Sequence, residues 1–309
     1  PLFRAILASN GSQDEVPLSE ARAASHKAME QFVTGFYAPR DPLPSEADHS
    51  VPVAGGSIAV RVYCPEPAGP ALPCHLYFHG GGFWLGTLDH FDALCRAVAV
   101  DAHCVVMSVD YRLAPEHKFP TAAQDSYAAL QWACDNADTL GIDPTRISVG
   151  GVSAGGNLAT VTALMARDRC GPGLVLQVLE VPVTDLSRQD PLHIADEGIE
   201  LPSGKDVYCR HYLSDPAEAL DPLASPLLAQ DLSGLPPALV MCAEYDPLAA
   251  EGKAYADRLK QAGVPVEHIC WPGQFHGAQP MAKLIPQEAA AYHNRIVGAL
   301  RQAFRKDRG

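Results

Sequence analysis

The chain has 309 residues, 47% hydrophobic and 19% charged, with a formal net charge of −13. This composition describes an ordinary globular protein with enough apolar material for one large α/β domain or two smaller ones. The acidic balance disfavours nucleic acid and an anionic membrane surface as partners, and no apolar run approaches the length of a membrane span. No basic segment followed by a long apolar core stands at the N-terminus, so no signal peptide is expected. Nine cysteines are scattered along the chain with no C-x-x-C pair. They are expected to be reduced, mostly buried thiols of a cytoplasmic protein.

Taken in order, the spacing of Met29, Phe32, Val33 and Phe36 predicts a helix from Leu18 to about Phe36, ended by Pro39, Pro42 and Pro44. Such a helix needs a surface to pack on, whether as a lid over a pocket or as a plain cover. Ile58 to Tyr63 alternates and reads as a strand. His75 to Phe78 reads as a buried strand that runs straight into His79-Gly80-Gly81-Gly82-Phe83. Residues 90 to 102 predict a helix. Cys104 to Val109 predicts a core strand, which ends in the polar stretch Asp110-Tyr111-Arg112-Leu113-Ala114-Pro115-Glu116. Thr121 to about Leu140 has helical periodicity.

A short apolar run, Arg146 to Val149, then enters Gly150-Gly151-Val152-Ser153-Ala154-Gly155-Gly156, and a helix from Asn157 to Ala166 follows. Val175 to Leu179 is the next core strand. From about Asp185 to Pro226 the pattern breaks into an insertion rich in Asp, Pro and Ser, with one helix near Lys205 to Tyr212. Ala238 to Cys242 predicts a strand leading to Glu244-Tyr245-Asp246-Pro247-Leu248, followed by a helix from about Ala250 to Ala262. Val266 to Trp271 is the last strand, leading to Gly273-Gln274-Phe275-His276-Gly277, and a terminal helix covers about Gln287 to Phe304. Strands alternating with helices predict an α/β fold with a mostly parallel central sheet flanked by helices. In such sheets, reactive groups collect at the C-terminal ends of the strands.

Gly151-Val152-Ser153-Ala154-Gly155 fits the G-x-S-x-G elbow, in which a serine stands on a strained strand-to-helix turn. A side chain at Gly151 or Gly155 is expected to collide with the neighbouring strand or helix. The N-terminus of the following helix favours negative charge near the serine. A glycine turn of this kind also suits phosphate binding, so the chemistry depends on what else reaches it.

Serine needs a base, and the base needs a partner to hold its tautomer. Of twelve histidines, His276 and His79 follow strands in glycine-rich loops. The others fall in predicted helices, strand interiors or the insertion. Asp246, at a strand end and restrained by Pro247, is the best acid, with Asp110 and Asp185 as rivals at other strand ends. The order Ser153, Asp246, His276 is the nucleophile–acid–base order of α/β-hydrolases. Gly80-Gly81-Gly82 lets backbone amides approach a developing oxyanion without obstruction.

On these motifs, running from about residue 75 to 280, the sequence resembles the hormone-sensitive-lipase-type carboxylesterases of the α/β-hydrolase superfamily. The resemblance implies Ser153 as nucleophile, His276 as general base and Asp246 as orienting acid. It also implies an oxyanion hole from the amides of Gly81, Gly82 and Ala154, and a structural His79. It implies a helical cap made of residues 1–45 and an insertion at 185–225, over a core formed by residues 46–184 and 226–309. Phe83, Trp84 and the 190–215 segment are expected to line the substrate pocket. No cofactor or metal is implied, the partner is a small-molecule ester, and a homodimer is compatible with the family.

Three positions depart from the family's pattern. Val152 stands where Asp or Thr is usual, which predicts a lost or replaced hydrogen bond. Ala250 stands where the acid motif usually continues with a carboxylate, leaving Glu251 alone. Ala278 stands where an aromatic is common, which predicts a wider pocket near the base. The expected activity is hydrolysis of short-to-medium acyl esters through an acyl-enzyme. A non-catalytic small-molecule receptor on the same fold, and an amidase or lactonase, are the alternatives.

Overall fold

A computed structural model describes residues 18–39, 42–66, 70–188, 192–194, 199–201 and 204–305. Its strands are β1 (Ser45–Val53), β2 (Gly56–Cys64), β3 (Leu72–Phe78), β4 (Val105–Asp110), β5 (Ile142–Val152), β6 (Leu176–Glu180), β7 (Leu192–Ile194), β8 (Ile199–Leu201), β9 (Ala238–Tyr245) and β10 (Val266–Phe275). The helices are α1 (Leu18–Phe36), α2 (Leu88–Ala102), α3 (Thr121–Asp135), α4 (Ala137–Leu140), α5 (Ala154–Asp168), α6 (Lys205–Tyr212), α7 (Ala249–Gln261) and α8 (Pro286–Ala303). Eight strands form one sheet in the order β1-β2-β4-β3-β5-β6-β9-β10, and β7 pairs with β8 apart from it. From β4 to β10 every pairing is parallel; β1 and β2 join antiparallel at one edge.

The predicted elements appear with bounds shifted by a few residues, and the expected helix over Thr121 to Leu140 is two helices. The break falls at Asn136, whose side-chain amide donates to the Trp132 carbonyl at 2.9 Å. β1 carries no apolar alternation that would announce it. Its residues, Ser45-Glu46-Ala47-Asp48-His49-Ser50-Val51-Pro52-Val53, are mostly polar, and Val51 alone is fully buried. Pairing with β2 through the turn at Gly55 (φ 82°) makes it a strand, and an edge position tolerates Pro52.

Both faces of the sheet are covered, as a parallel sheet requires. One face packs on α3, α5 and α7 through residues such as Leu130, Leu158 and Tyr255. The other packs on α2 and α8 through Phe91, Cys95, Ile296 and Leu300. Helix α5 is buried from Ala154 to Ala166, because it runs between the sheet and its neighbours rather than over an open surface. Among the described residues no helix is long and apolar enough to cross a membrane. All nine cysteines are free thiols. The expectation that most are buried holds for four; Cys64, Cys134 and Cys209 are half-buried, and Cys170 and Cys270 are exposed.

Helix α6, in the insertion, is tied to the core by a buried charge. Lys205, 1% exposed, ion-pairs with Glu251 of α7 and donates to the Asp185 carbonyl at 2.7 Å. Glu251 also accepts from the Thr184 amide at 2.8 Å. Burial pushes the Glu251 carboxyl up while Lys205 pulls it back down. Removing one partner of such a pair strands the other charge in a poor solvent. Lys205→Ala is therefore expected to lower stability by about 3 kcal/mol near pH 8. The loss should be smaller at pH 5, because burial raises the Glu251 carboxyl and the stranded group is the more readily protonated the lower the pH. Urea denaturation of variant and wild type at the two pH values measures both.

Candidate active site

Ser153 stands between β5 and α5 at φ 58° and ψ −116°, a conformation that a side-chain-bearing residue holds only under constraint. The constraint is local. Its amide donates to the Glu180 carbonyl at 2.8 Å, and its carbonyl accepts from Val183 and Asn157, each at 3.1 Å. On either side, a Cβ at Gly151 or Gly155 would strike the Phe78 carbonyl of β3. The predicted collision is therefore real, and it is with the neighbouring strand.

His276 follows β10 and reaches Ser153: its Nε2 lies 3.0 Å from Oγ. Its Nδ1 lies 2.8 Å from Oδ2 of Asp246, which directly follows β9 and is 2% exposed. The second carboxylate oxygen, Oδ1, accepts from the Leu248 amide at 2.9 Å. With Nδ1–H donating to the carboxylate, Nε2 is free to accept the serine proton. Desolvation pulls the imidazole's pKa down, but the Asp246 charge and hydrogen bond, helped by Glu251, outweigh it and hold it above its ordinary value.

The rival acids lie elsewhere. Asp110 lines a separate opening beside Arg112, and Asp185 is buried and accepts from the Ser187 amide and hydroxyl at 2.9 and 2.6 Å.

The glycine loop lies beside Ser153. Gly81 (φ 123°) and Gly82 (φ 58°) hold left-handed conformations, and the Gly81 carbonyl turns inward to accept from Leu85 at 2.9 Å. The amides of Gly81, Gly82 and Ala154 donate to no backbone carbonyl among the described residues. His79 is fully buried, with Nδ1 on the Gly80 carbonyl at 2.8 Å and its ring stacked on Tyr111 at 4.3 Å. Burial lowers its pKa to about 4, so the ring is neutral and braces the loop.

Ser153, His276 and the glycine loop open onto a cavity of about 850 Å³, which also receives α1 residues Met29 and Phe32, Trp84, and Tyr208 of α6. Trp84 lines this space. Phe83 does not. Its φ of 66° turns the ring away into the core, where it stacks on Tyr212 at 3.9 Å and 5°. Of the 190–215 segment, Gly204 and Tyr208 line the cavity. Residues 189–191, 195–198 and 202–203 lie outside the described residues, as do residues 1–17 of the expected cap.

The departures also resolve. Val152 puts an apolar side chain where a hydrogen-bonding one is usual, and it packs against the core beneath α2 and α8. Glu251 is the buried partner of Lys205 rather than a leftover surface charge. Ala278 is fully buried, and its neighbours Gly277 and Gln279 line the cavity in its place, so the expected widening there does not arise from it.

Two residues escaped the sequence reading. Arg22 of α1 clamps the helix onto the site's rear: it donates to the carbonyls of Trp84 (3.1 Å) and Ala114 (2.6 Å) and pairs with Glu116 (2.7 Å). Glu180 lines the cavity at the end of an apolar strand. Neither stands in a recognisable motif.

A sheet of this order, with Ser, Asp and His gathered at the ends of β5, β9 and β10, is the architecture of an α/β-hydrolase. Residues 75–280 match the family described as having the α/β-hydrolase fold. Carboxylesterase NlhH of Mycobacterium tuberculosis is 45% identical over 252 residues, covering 80% of this chain and 79% of that protein. An ethyl acetate hydrolase of Pseudomonas putida is 42% identical, covering 80% and 79%. The structure of an esterase from Pyrobaculum calidifontis superposes with a TM-score of 0.87 at 39% identity, covering 98% of each chain. The chain belongs to this family, the hormone-sensitive-lipase-type carboxylesterases of the α/β-hydrolase superfamily.

If Asp246 is the acid that holds His276, Asp246→Asn should cut kcat by about ten-thousandfold. Asp110→Asn should retain most of it. Steady-state kinetics on both variants tests the choice, and the reverse ranking would show that the acid is misassigned.

Proposed function

We propose that the protein hydrolyses short-to-medium acyl esters through a covalent acyl-enzyme on Ser153. The observation that carries this reading is the continuous chain of hydrogen-bond distances from Ser153 through His276 to Asp246, 3.0 and 2.8 Å, opening onto one cavity. Relatives named carboxylesterase and ethyl acetate hydrolase support it.

In this mechanism Ser153 Oγ attacks the ester carbonyl as His276 Nε2 takes its proton. Asp246 stays ionised and stabilises the imidazolium. The amides of Gly81, Gly82 and Ala154 receive the oxyanion, and each such donor is worth about 3 kcal/mol in the transition state. His276 then protonates the leaving alcohol, and the acyl group stays on Ser153. Water, activated by the same imidazole, attacks the acyl-enzyme and releases the acid. The N-terminus of α5 adds partial positive charge where the oxyanion forms.

Residues 1–45 and 185–225 act as the cap in this reading. Support comes from α1 and α6, which supply Met29, Phe32 and Tyr208 to the cavity wall. A cytoplasmic location is read from nine unpaired thiols, two of them exposed.

Turnover of p-nitrophenyl esters of increasing chain length tests the reading. Acetate to hexanoate should be hydrolysed faster than long-chain esters, and Ser153→Ala should reduce every rate to background. A serine variant with near wild-type turnover would end the assignment. The pH dependence has a defined sign, because His276 accepts a proton only when neutral. kcat/KM should therefore fall as pH drops through its raised pKa, with the acid limb above about pH 6.5. In Asp246→Asn the charge that raises His276 is gone, and the limb of the residual activity should move to lower pH. A flat profile down to about pH 4 would argue against a histidine base.

A further inference from the structure

The wall beside the serine turn holds a group of polar side chains that ester hydrolysis does not use. Glu180 is the last residue of β6, opposite Val152 in the neighbouring strand, and is 4% exposed. It stands two residues beyond Val178, so its side chain leaves the sheet on the face covered by α2 and α8. Tyr77, Tyr292 and Gln279 line the same cavity and are 3%, 5% and 6% exposed. The Tyr77 hydroxyl has no hydrogen-bond partner among the described residues, and the Gln279 carboxamide, which interacts with the Tyr292 hydroxyl, leaves part of its bonding capacity unused. The Tyr292 hydroxyl lies between Glu180 and Gln279 and interacts with both. Buried polar groups left short of partners destabilise a fold. Such groups converging on one cavity wall, next to the reacting serine, indicate a ligand group that satisfies them.

Charge narrows the class of ligand. Asp101, Glu180 and Asp246 line the cavity, and no Lys or Arg does among the described residues. The lining imidazoles are committed or uncharged: His276 pairs with Asp246, His293 with Asp101 at 2.7 Å, and burial lowers His90. Glu180 therefore has no cation of its own. Burial pushes its carboxyl up to about 7, against a smaller downward pull from Tyr292. An arriving cation would stabilise its ionised form. The rings of Tyr77 and Phe91, with centroids 6.0 Å apart, add the π surface that ammonium groups favour.

We propose that this end of the cavity is a subsite for a protonated amine carried by the ester substrate, with the Glu180 carboxylate as its ion-pair partner and the oxygens of Tyr77, Tyr292 and Gln279 around it. The proposal rests on the ester-hydrolase reading and names its substrate class.

The test compares isosteric ester pairs by pH-stat near pH 8. On the acyl arm the pair is ethyl 6-(dimethylamino)hexanoate and ethyl 7-methyloctanoate. On the alcohol arm it is 3-(dimethylamino)propyl butyrate and 4-methylpentyl butyrate. In at least one pair the amine should have the higher kcat/KM by about tenfold or more, and in Glu180→Gln that ratio should fall to about one. Equal or reversed preference in both pairs overturns the subsite, as does a preference that survives Glu180→Gln. Ethyl 7-hydroxyheptanoate hydrolysed as well as the amine would make it a neutral polar subsite and also overturn the proposal.

Calorimetric titration of N,N-dimethylhexylamine reads the subsite without turnover. Binding about tenfold weaker in Glu180→Gln is expected, and equal binding overturns the proposal. A wild type that hydrolyses none of these esters, nor p-nitrophenyl butyrate, fails the hydrolase reading instead, and the titration alone then decides the subsite.

Discussion

The approach of the Phe78 carbonyl to Gly151 and Gly155 is the contact on which the site depends. Strand β3, strand β5 and helix α5 meet there more closely than any side chain permits. That closeness forces the chain to turn at Ser153 with positive φ, and it places the glycine loop at the end of β3 beside the serine. Hydrogen bonds from the Ser153 amide to Glu180 and from Val183 to the Ser153 carbonyl fasten the turn to β6 and the segment that follows it. A strained serine is kept in place because strands β3, β5 and β6, helix α5 and the segment after β6 together over-determine it.

Around this turn, buried carboxyl groups do three different jobs because their neighbours differ. Asp246 is held by the Leu248 amide and faces an imidazole, so its hydrogen bond orients the His276 ring and its charge raises that ring's pKa. Glu251 is paired with Lys205 and ties the insertion to the core. Glu180 has phenols and a carboxamide around it and no Lys or Arg beside it in the cavity wall among the described residues, the setting on which the proposed amine subsite rests. Burial raises Glu180 and Glu251 alike; the presence or absence of a cation separates their roles.

Much of the core was legible in the sequence because its signals are local. Apolar runs such as His75 to Phe78 and Ala238 to Cys242 can only be buried, and glycine clusters at their ends mark where the chain turns. The motif spacing brought Ser153, Asp246 and His276 into one hypothesis before any distance was known. β1 was not legible, since an edge strand draws its hydrogen bonds from a partner and needs no apolar pattern. Phe83 was misread because a residue beside a glycine loop can face either way, and its positive φ points the ring to Tyr212. Arg22 and Glu180 were silent, as their partners lie far along the chain.

The sequence by itself determined the alternation of strands and helices, the serine turn, and the short set of strand-end acids and bases from which its partners come. Glycine, apolar periodicity and strand-end polarity act over a few residues, so they are written locally. Only the tertiary structure decided which aspartate meets His276, how α1 is clamped over the cavity by Arg22, and which face of β6 carries Glu180 into it. These depend on parallel strands brought side by side by long crossovers, and on the dielectric of a shared interior, neither of which any short stretch of sequence contains.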